Sequence, residues 1–499
     1  MAKVIIDPVT RIEGHLRIDT EVVNQRIVNA WSKGEMFRGF EALLKGRDPF
    51  DSPVITQRIC GVCPVSHAVA SCKAVEDSLG IALPENASLM RNLILGSNYI
   101  ASHLTHFYQL SALDFIQAEA ILKYRGSNRS LRNLRTWVEQ EIASKKILPA
   151  APFLPHLTGD YPQDQEWNFR ALQHYLESLD IRKDAHTMAA LFGGKMPHTA
   201  AMLAGGVTTR LTPDLIENFR VRLLRIRQFI DETYLPDVLQ AAKLFKHYAD
   251  IGSGNAVYLA YGVFDEKGGP FLPGGLLQDG QQRPLEPEKI AEQTLHSYYR
   301  DGSPRHPYQG ETLPDAEKDK AYSWIKAPRY AGMPCEVGPL ARLMIAYKGG
   351  VDPVRKRVST LLARLGWQER HLNSVLGRHA TRALETSIIA ERMELWLDQL
   401  ALASPTVGEI PPTGSGQGAG LTEAPRGALG HWLTVEQSKI ENYQCIVPST
   451  WNFSPAGQEG EPGPVEAALI GTPVAAGSQG LEAARVVRSF DPCIACAIH

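Results

Sequence analysis

Four of the seven cysteines form two Cys-x-x-Cys pairs, Cys60 with Cys63 and Cys493 with Cys496. Two intervening residues let both sulfurs of a pair face one metal ion, because a tight turn or the start of a helix brings them to the same side. Thiolates favour soft or borderline metals such as zinc, nickel and the iron of iron–sulfur clusters. The spacing therefore predicts a thiolate metal site built from the two pairs.

Spacing alone also suggests two simpler interpretations of the pairs, a structural zinc site and a redox pair. A structural zinc site also uses four cysteines, but its pairs are usually separated by ~15–20 residues. Here Cys493 follows Cys63 by 430 positions, which a local zinc ribbon cannot use. A thioredoxin-like redox pair needs a βαβ context that neither pair has. Spacing thus leaves a thiolate metal site, with structural zinc as the alternative.

Composition narrows the function classes. Cys72, Cys335 and Cys445 stand alone, and an odd cysteine total in a large chain argues against a disulfide framework. The net charge is −2, so nothing indicates a nucleic-acid surface. No apolar run reaches the ~20 residues that span a bilayer. The N-terminus lacks the apolar stretch of ~7–15 residues of a secretory signal, so we expect export to depend on another protein.

Hydrophobic periodicity indicates the elements that position the cysteines. After Pro84 apolar residues recur at helical spacing, and further helices are predicted over 168–191, 213–245, 353–365, 371–402 and 464–470. Short β segments are predicted near 4–29 and 433–447, irregular or β structure over 252–332, and a flexible glycine-rich loop over 404–420. The predicted fold is mainly α with a small β portion (α+β). It is expected to form one unit over residues 1–499, with both termini converging on the metal site.

The residues around both pairs resemble two motifs of nickel–iron hydrogenase large subunits. RICGVCPVSH, over 58–67, matches Arg-x-Cys-Gly-x-Cys-x-x-x-His, and DPCIACAIH, over 491–499, matches Asp-Pro-Cys-x-x-Cys-x-x-His. Both motifs stand in the family's order and at the family's ends of the chain. The resemblance continues through DPVTRIEGH (7–15), FRG (37–39), HFY (106–108), APRY (327–330), EAPRG (423–427) and PSTW (448–451).

This resemblance implies the catalytic subunit of a hydrogenase, which interconverts H2 with two protons and two electrons. The four cysteines would bind nickel, with Cys60 and Cys493 terminal and Cys63 and Cys496 bridging to an iron that carries carbon monoxide and cyanide. A large helical core is implied as well. The metals would supply the chemistry, and the protein would supply orientation and electrostatics.

The resemblance also assigns roles beside the centre. Glu13 matches the family's proton-gate glutamate, and Cys493 would be the first proton acceptor. Arg426 matches the arginine that lies over the open side of the metals. Without the resemblance, Glu13 would be interpreted as a structural partner of Arg11 or His15, and Arg426 as an ordinary salt-bridged arginine.

Four further positions are implied to surround the centre. Pro425 and Ser449 would lie close to the diatomic ligands, and His67 would donate to a bridging thiolate and tune its basicity. Ser102 stands at a position where many members have an aspartate. The absence of that aspartate is more similar to the selenium-containing (NiFeSe) branch, in which selenocysteine replaces the first cysteine of the C-terminal pair. The sequence has Cys493, so either the protein is a cysteine form or a selenocysteine at this position has been written or engineered as cysteine.

A second ion is implied near the C-terminus. The family uses a histidine matching His499, a glutamate matching Glu41 and the backbone carbonyl of the residue at Cys445. Oxygen ligands and retained waters suit Mg2+, whereas an imidazole also suits Fe2+, so both ions stay open. Glu41 alone would be interpreted as a solvated charge on a helix.

The electrons need a partner, because Cys72, Cys335 and Cys445 are too scattered to bind an iron–sulfur cluster. The resemblance implies a small subunit that carries the clusters in an obligate heterodimer with a large interface. It would pass electrons to a cytochrome c or another membrane acceptor. A periplasmic location, or a membrane-associated one through the small subunit, is expected, and a cytoplasmic one stays open.

An H2-sensing regulatory subunit is the alternative function. A quinone-reductase relative would lack the four metal cysteines that this chain has.

Overall fold

The computed structural model describes residues 2–144, 157–412 and 414–499. It is 47% helical and 19% strand, which confirms the predicted mainly helical α+β class. No helix in these ranges is both long and apolar enough to cross a membrane. The helices are α1 Phe40–Leu44, α2 Ser52–Thr56, α3 Pro64–Leu79, α4 Glu85–Thr105, α5 Arg129–Ala143, α6 Gln165–Gly193, α7 Pro213–Phe229, α8 Leu235–Leu244, α9 Pro339–Lys348, α10 Val354–Leu365, α11 Val375–Gln399, α12 Pro448–Asn452, α13 Pro464–Leu469, α14 Leu481–Ser489 and α15 Ile494–Ala497.

The strands form small antiparallel sheets rather than one large sheet. Two of the three-stranded sheets are meanders, in the orders β1-β2-β3 and β13-β14-β15, and the others join strands from the middle of the chain. The strands are β1 Ala2–Ile6, β2 Leu16–Val23, β3 Arg26–Gly34, β4 Met202–Leu203, β5 Gly206–Val207, β6 Tyr258–Ala260, β7 Val263–Glu266, β8 Gly269–Leu272, β9 Gly275–Gln278, β10 Gln281–Arg283, β11 Ile290–Gln293, β12 Ala327–Tyr330, β13 Gly416–Ala424, β14 Gly427–Glu436 and β15 Lys439–Ile446.

The predicted helical segments are confirmed, but one of them is interrupted. The segment over 213–245 is divided into α7 and α8 by a π-helical turn at Ile230–Tyr234. Pro236 lies in the first turn of α8, and because it has no N–H it cannot continue the hydrogen-bond ladder from α7. A second π-helical turn, His106–Ser111, extends α4.

The prediction of a flexible loop over 404–420 is wrong at its C-terminal end, where β13 begins at Gly416. A Cβ atom on Gly416, Gly418 or Gly420 would lie 2.1, 2.2 or 1.7 Å from the backbone oxygens of Ser78, Ala74 and Ala70 in α3, in that order. Alternate glycines therefore serve close packing of a strand against a helix rather than flexibility.

Segments from both ends of the chain share one apolar core with the four cysteines. The N-terminal segment pairs with the C-terminal motif, since Glu13 N donates to Pro492 O at 3.3 Å and Ile494 N donates to Glu13 O at 2.9 Å. Gly14, at φ +82°, permits this approach, because a Cβ there would lie 2.6 Å from Ala495 N. Residues nearly 500 positions apart thus meet at the site.

Candidate metal centre

The four cysteine sulfurs meet at one buried point. Cys60 Sγ lies 3.4 Å from Cys493 Sγ, and Cys63 Sγ lies 3.4 Å from Cys496 Sγ. Cys493 Sγ and Cys496 Sγ are 2.7 Å apart, and all four sulfurs lie within 4.8 Å of one another. Each cysteine of the N-terminal pair therefore faces one cysteine of the C-terminal pair.

The cysteines are positioned by the N-terminal ends of α3 and α15 and by the hydroxyl of Ser449. Cys63 immediately precedes α3 and Cys493 immediately precedes α15. The positive N-terminal end of a helix favours an adjacent thiolate, and α3 has 16 residues to supply that field. Val62 N donates to Cys60 Sγ at 3.2 Å, and Cys493 N donates to Ser449 Oγ at 2.9 Å.

The donor set fits a soft or borderline cation. Burial raises the pKa of Cys493 and of Cys496 well above the usual range, while the hydrogen bond from Cys493 lowers that of Cys60. Four thiols packed this closely cannot all ionise against one another. A divalent metal replaces their protons and compensates the charge, so four thiolates suit nickel, iron or zinc.

Glu13 lies against the C-terminal cysteine motif. Its Oε2 is 3.2 Å from Cys493 Sγ and accepts a 3.0 Å hydrogen bond from Ala495 N. Burial raises the pKa of the Glu13 carboxyl. The simpler interpretation of Glu13 as a partner of Arg11 is not what the geometry shows, because Arg11 donates instead to Asp114 and to Leu110 O.

Arg426 is buried beside the sulfurs and forms an ion pair with Asp491, which was not among the predicted site residues. Its Nε donates to Asp491 O at 3.0 Å and its Nη2 donates to Asp491 Oδ1 at 2.9 Å. Its Nη1 lies 3.4 Å from Ser102 Oγ. Asp491 is the carboxylate that holds Arg426, and the Asp-Pro-Cys motif was the available signal for it. The neighbouring Pro425 O accepts a 2.9 Å hydrogen bond from buried Arg342.

A chain of buried hydrogen bonds leads from the cysteine motif toward α2. His67 Nδ1 lies 3.2 Å from His431 Nε2, and His431 Nδ1 lies 2.8 Å from Tyr443 Oη. The chain continues through Ser71 and Ser52, with oxygen–oxygen distances of 2.9 Å at both steps, to Pro49 O at 2.7 Å.

The carbonyl at the end of this chain sets its direction. Ser52 must donate to Pro49 O, and because each hydroxyl has one proton, every group behind it donates forward. Burial lowers the pKa of His67 to about 4 and that of His431 well below its usual range, so both rings are neutral. Their protons then lie on Nδ1, and His67 Nε2 is an acceptor. Donation from His67 Nε2 to a thiolate requires the ring to gain a second proton.

A second buried cluster lies beside the C-terminus. Ligand atoms of Glu41, Cys445 and His499 lie within 4.8 Å of one another. His499 Nε2 is 3.2 Å from Glu41 Oε1, which also accepts a 2.8 Å hydrogen bond from Cys445 N. Glu41 is buried, so the interpretation of it as a solvated charge is wrong.

Charged groups that were not among the predicted site residues surround this second cluster. Lys326 Nζ lies 3.3 Å from Glu41 Oε2 and 3.2 Å from Glu292 Oε2. Thr312 Oγ1 donates to Glu41 Oε2. Lys326 directly precedes the APRY segment and was the available signal, whereas nothing local marks Glu292.

Comparisons with known proteins agree along the whole chain. The family described as "Nickel-dependent hydrogenase" matches residues 38–499, and the family described as "HoxL-like" matches residues 3–22. The "Periplasmic [NiFeSe] hydrogenase large subunit" of Desulfomicrobium baculatum is 38% identical over 100% of this chain and 95% of its own length. The "Hydrogenase-2 large chain" of Escherichia coli (strain K12) is 35% identical, covering 100% of this chain and 97% of its own.

Solved structures show the same fold. The H2-activated [NiFeSe]-hydrogenase of Dm. baculatum superposes with a TM-score of 0.88 at 37% identity, and 100% of both chains is covered. The oxidized Ni-Fe-Se hydrogenase of D. vulgaris Hildenborough gives 0.89 at 36% identity, again over 100% of both chains. Family match, full-length relatives and fold lead to one conclusion: the chain belongs to the nickel-dependent hydrogenases, as a large, catalytic subunit of an enzyme that oxidises H2.

Proposed function

We propose that the four cysteines hold a binuclear nickel–iron centre, with Cys60 and Cys493 on nickel alone and Cys63 and Cys496 bridging nickel and iron. The convergence of four buried sulfurs, two from each motif, within 4.8 Å of one another supports the metal centre, and the resemblance supports the division into terminal and bridging ligands. The two terminal sulfurs lie 3.4 Å apart, as do the two bridging sulfurs, and each pair takes one cysteine from each motif. Carbon monoxide and cyanide would be the remaining ligands of the iron. When bound, this centre supplies the reversible heterolytic cleavage of H2 and takes its two electrons.

Glu13 is proposed to take the proton onward from Cys493. The 3.2 Å between Glu13 Oε2 and Cys493 Sγ is within reach of direct proton transfer. Ala495 N–H donates to the same carboxylate oxygen, so the carboxyl is held in one orientation toward the sulfur.

Arg426 is proposed to place its positive charge beside the diatomic ligands. Asp491 holds two of its nitrogens, and Ser102 lies near a third, so the guanidinium has one fixed plane. A preoriented cation stabilises negative charge without reorganisation. Pro425 and Ser449 are proposed to line the same side, where Ser449 fixes the backbone of Cys493. His67 is proposed to donate to a bridging thiolate and tune its basicity when its ring carries a second proton, because the neutral ring already uses its one proton toward His431.

Glu41, His499 and the backbone carbonyl of Cys445 are proposed to hold a second ion, Mg2+ or Fe2+. This ion would tie the C-terminus to α1, the short helix that carries Glu41. The shared core of the two chain ends supports one folding unit over residues 1–499, which we propose as the domain organisation.

A small subunit with iron–sulfur clusters is the proposed partner, passing electrons to a cytochrome c or another membrane acceptor. The relative from Dm. baculatum is named periplasmic, which supports a periplasmic or membrane-associated location through that partner. None of the relatives reported above is named as a sensor, so the H2-sensing alternative has no support from the comparisons.

Infrared spectroscopy of the purified heterodimer tests the centre. We expect stretching bands of carbon monoxide and cyanide together with about one nickel per heterodimer, and we expect Cys63→Ser to remove both. Cys72→Ser is the matched control, because Cys72 is an equally buried lone cysteine outside the cluster. One zinc, no nickel and no such bands would establish the structural zinc alternative instead.

A further inference from the structure

We propose that Arg342 is a positioning residue for Arg426: it binds the main-chain turn that carries Arg426 and thereby fixes where the Arg426 guanidinium lies. The inference deepens the role proposed above for Arg426 and rests on it. Arg342 belongs to α9, lies in neither cysteine motif and is not among the predicted site residues.

Arg426 lies in a tight hairpin turn. Strands β13 and β14 pair as far as Ala424 with Gly427, so Pro425 and Arg426 are the two residues of the turn between them. Pro425 has no N–H to donate, and both turn residues lie beyond the last pair of the ladder. Contacts from outside the sheet are therefore needed to hold the turn in one position.

Arg342 provides such contacts. Its Nη1 donates to Ala424 O at 3.0 Å, and its Nη2 donates to Pro425 O at 2.9 Å. These carbonyls belong to the two successive peptide units that lead into Arg426. Because each peptide unit is planar and rigid, holding both carbonyls fixes the direction in which the chain enters Arg426.

Two carboxylates hold Arg342 itself in one plane. Glu385 accepts from Nε at 2.6 Å and from Nη2 at 2.7 Å, and Glu423 accepts from Nη1 at 2.7 Å. All three side chains are 0% exposed. A bidentate pair of arginine and carboxylate defines the plane of the guanidinium as well as its distance, so Arg342 is a rigid support for the turn.

Glu385 links this support to the other side of Arg426. Although burial acts to raise it, the charge of Arg342 lowers the pKa of Glu385 to about 2, so the carboxylate only accepts. It accepts from His103 Nε2 at 2.9 Å. His103 directly follows Ser102, whose Oγ lies 3.4 Å from Arg426 Nη1. One carboxylate thus connects the support of the turn with the segment that faces the guanidinium of Arg426.

The start of α9 also contacts the turn through its backbone. Gly338 directly precedes α9 at φ +127°, and a Cβ atom there would lie 3.0 Å from Arg426 O. A Cβ atom on Gly427 would lie 2.7 Å from Gly338 N. Helix α9 therefore meets the turn twice, with its N-terminal backbone and with the Arg342 side chain one helical turn later.

Stability alone does not explain a charged side chain at this place. Apolar residues of similar volume can often replace a buried ion pair without loss of stability. A guanidinium instead offers five N–H donors in a fixed fork, and all three nitrogens of Arg342 donate. The arrangement therefore favours a role in fixing geometry.

A double-mutant cycle in the heterodimer tests whether Arg342 acts through Arg426. Arg342→Lys should keep about one nickel, shift the cyanide stretching frequencies in the same direction as Arg426→Lys, and lower kcat by about 10-fold to 10²-fold. The double variant should match Arg426→Lys alone in both quantities, because the guanidinium to be positioned is already gone. Effects of the two substitutions that simply add would show a merely structural role and overturn the proposal.

Arg91→Lys is the matched control. Arg91 is also buried, and it also joins a carboxylate, that of Glu76, to a backbone carbonyl, that of Leu203. None of these residues belongs to either cysteine motif or to the turn. Arg91→Lys should leave the cyanide frequencies unchanged, and a shift as large as that of Arg342→Lys would contradict the proposal.

Glu385→Gln is a milder variant that leaves Arg342 in place. An amide offers one acceptor oxygen where the carboxylate offers two, so the fork loses one bond and the cyanide frequencies should shift less but in the same direction. A crystal structure of the variant should show Arg426 Nη2 farther than 2.9 Å from Asp491 Oδ1. If Arg342→Lys does not bind its metals, Glu385→Gln decides, and wild-type frequencies in Glu385→Gln would overturn the proposal.

Arg426→Lys separates failure of this inference from failure of the role proposed for Arg426. If Arg426→Lys itself leaves the cyanide frequencies unchanged, the proposed role of Arg426 is wrong. If Arg426→Lys shifts them but Arg342→Lys and Glu385→Gln do not, only the inference about Arg342 is wrong.

Discussion

Glu13 Oε2 lies 3.2 Å from the Sγ of Cys493, although 480 residues separate the two in the chain. The backbone pairing of Glu13 with the C-terminal motif holds this distance independently of the carboxyl group itself. A substitution at the side chain can therefore test its chemistry without displacing the segment.

Glu13→Gln should lower the rate of H2/D+ exchange by at least about 10²-fold, because an amide cannot carry the proton away from Cys493. The infrared bands of the metal centre should remain, since the backbone contacts are unchanged. Glu35→Gln, at an exposed glutamate, is the control and should exchange at the wild-type rate. Near-normal exchange in Glu13→Gln would rule out the proposed proton transfer.

Arg426→Lys should keep nickel and iron but lower kcat by about 10²-fold. Lysine retains the charge but cannot donate to Asp491 O, Asp491 Oδ1 and Ser102 from one plane. The cyanide stretching frequencies should shift at the same time. Arg220→Lys, in an exposed pair with Asp398, should change neither quantity. Unshifted cyanide bands with full kcat in Arg426→Lys would show that the guanidinium plane does not matter.

Gly418→Ala should lower the free energy of unfolding by about 1–3 kcal/mol or more, because its Cβ would meet Ala74 O at 2.2 Å and force β13 away from α3. Denaturant titration of the heterodimer measures this change. Gly414→Ala is the matched control, since a Cβ there meets nothing within 4 Å, and it should stay within about 0.5 kcal/mol of wild type. Equal stability of the two variants would contradict the close-packing explanation.

Stability should fall with rising pH through Glu466. Burial raises the pKa of this carboxyl to about 7, although Ser32 N, Gly463 N and Tyr322 Oη all donate to it. A folded-state pKa above the unfolded value means that the folded protein holds the extra proton, so the stabilisation is complete below about pH 4.5 and is lost by about pH 7.

Glu466→Gln removes this titration. The free energy of unfolding of wild type minus that of the variant should therefore decline between pH 5 and pH 7, by up to about 3 kcal/mol, and stay flat above. Unfolding measured at pH 5, 6, 7 and 8 checks the slope. A difference that rises with pH, or one that does not change, would show that Glu466 is ionised throughout this range.

The sequence by itself determined the chemistry and the family. Two Cys-x-x-Cys pairs predict a thiolate metal site, and the residues beside them carry the resemblance to the family that the full-length relatives confirm. The long helices followed from their apolar period, because burial of one face leaves a repeating pattern in the chain. A helical repeat of apolar residues can be recognised without knowing which segment the helix packs against.

Only the tertiary structure decided which groups meet. Asp491 binds Arg426 although the two are 65 positions apart in the sequence, and Lys326 binds Glu41 at a separation of 285 positions. The glycines of β13 predict a loop from the sequence alone, and only the packing of α3 against them shows that they permit close contact between a strand and a helix. Such contacts depend on how the core brings distant segments together, and a single buried ion pair or a missing Cβ leaves no periodic signal in the sequence.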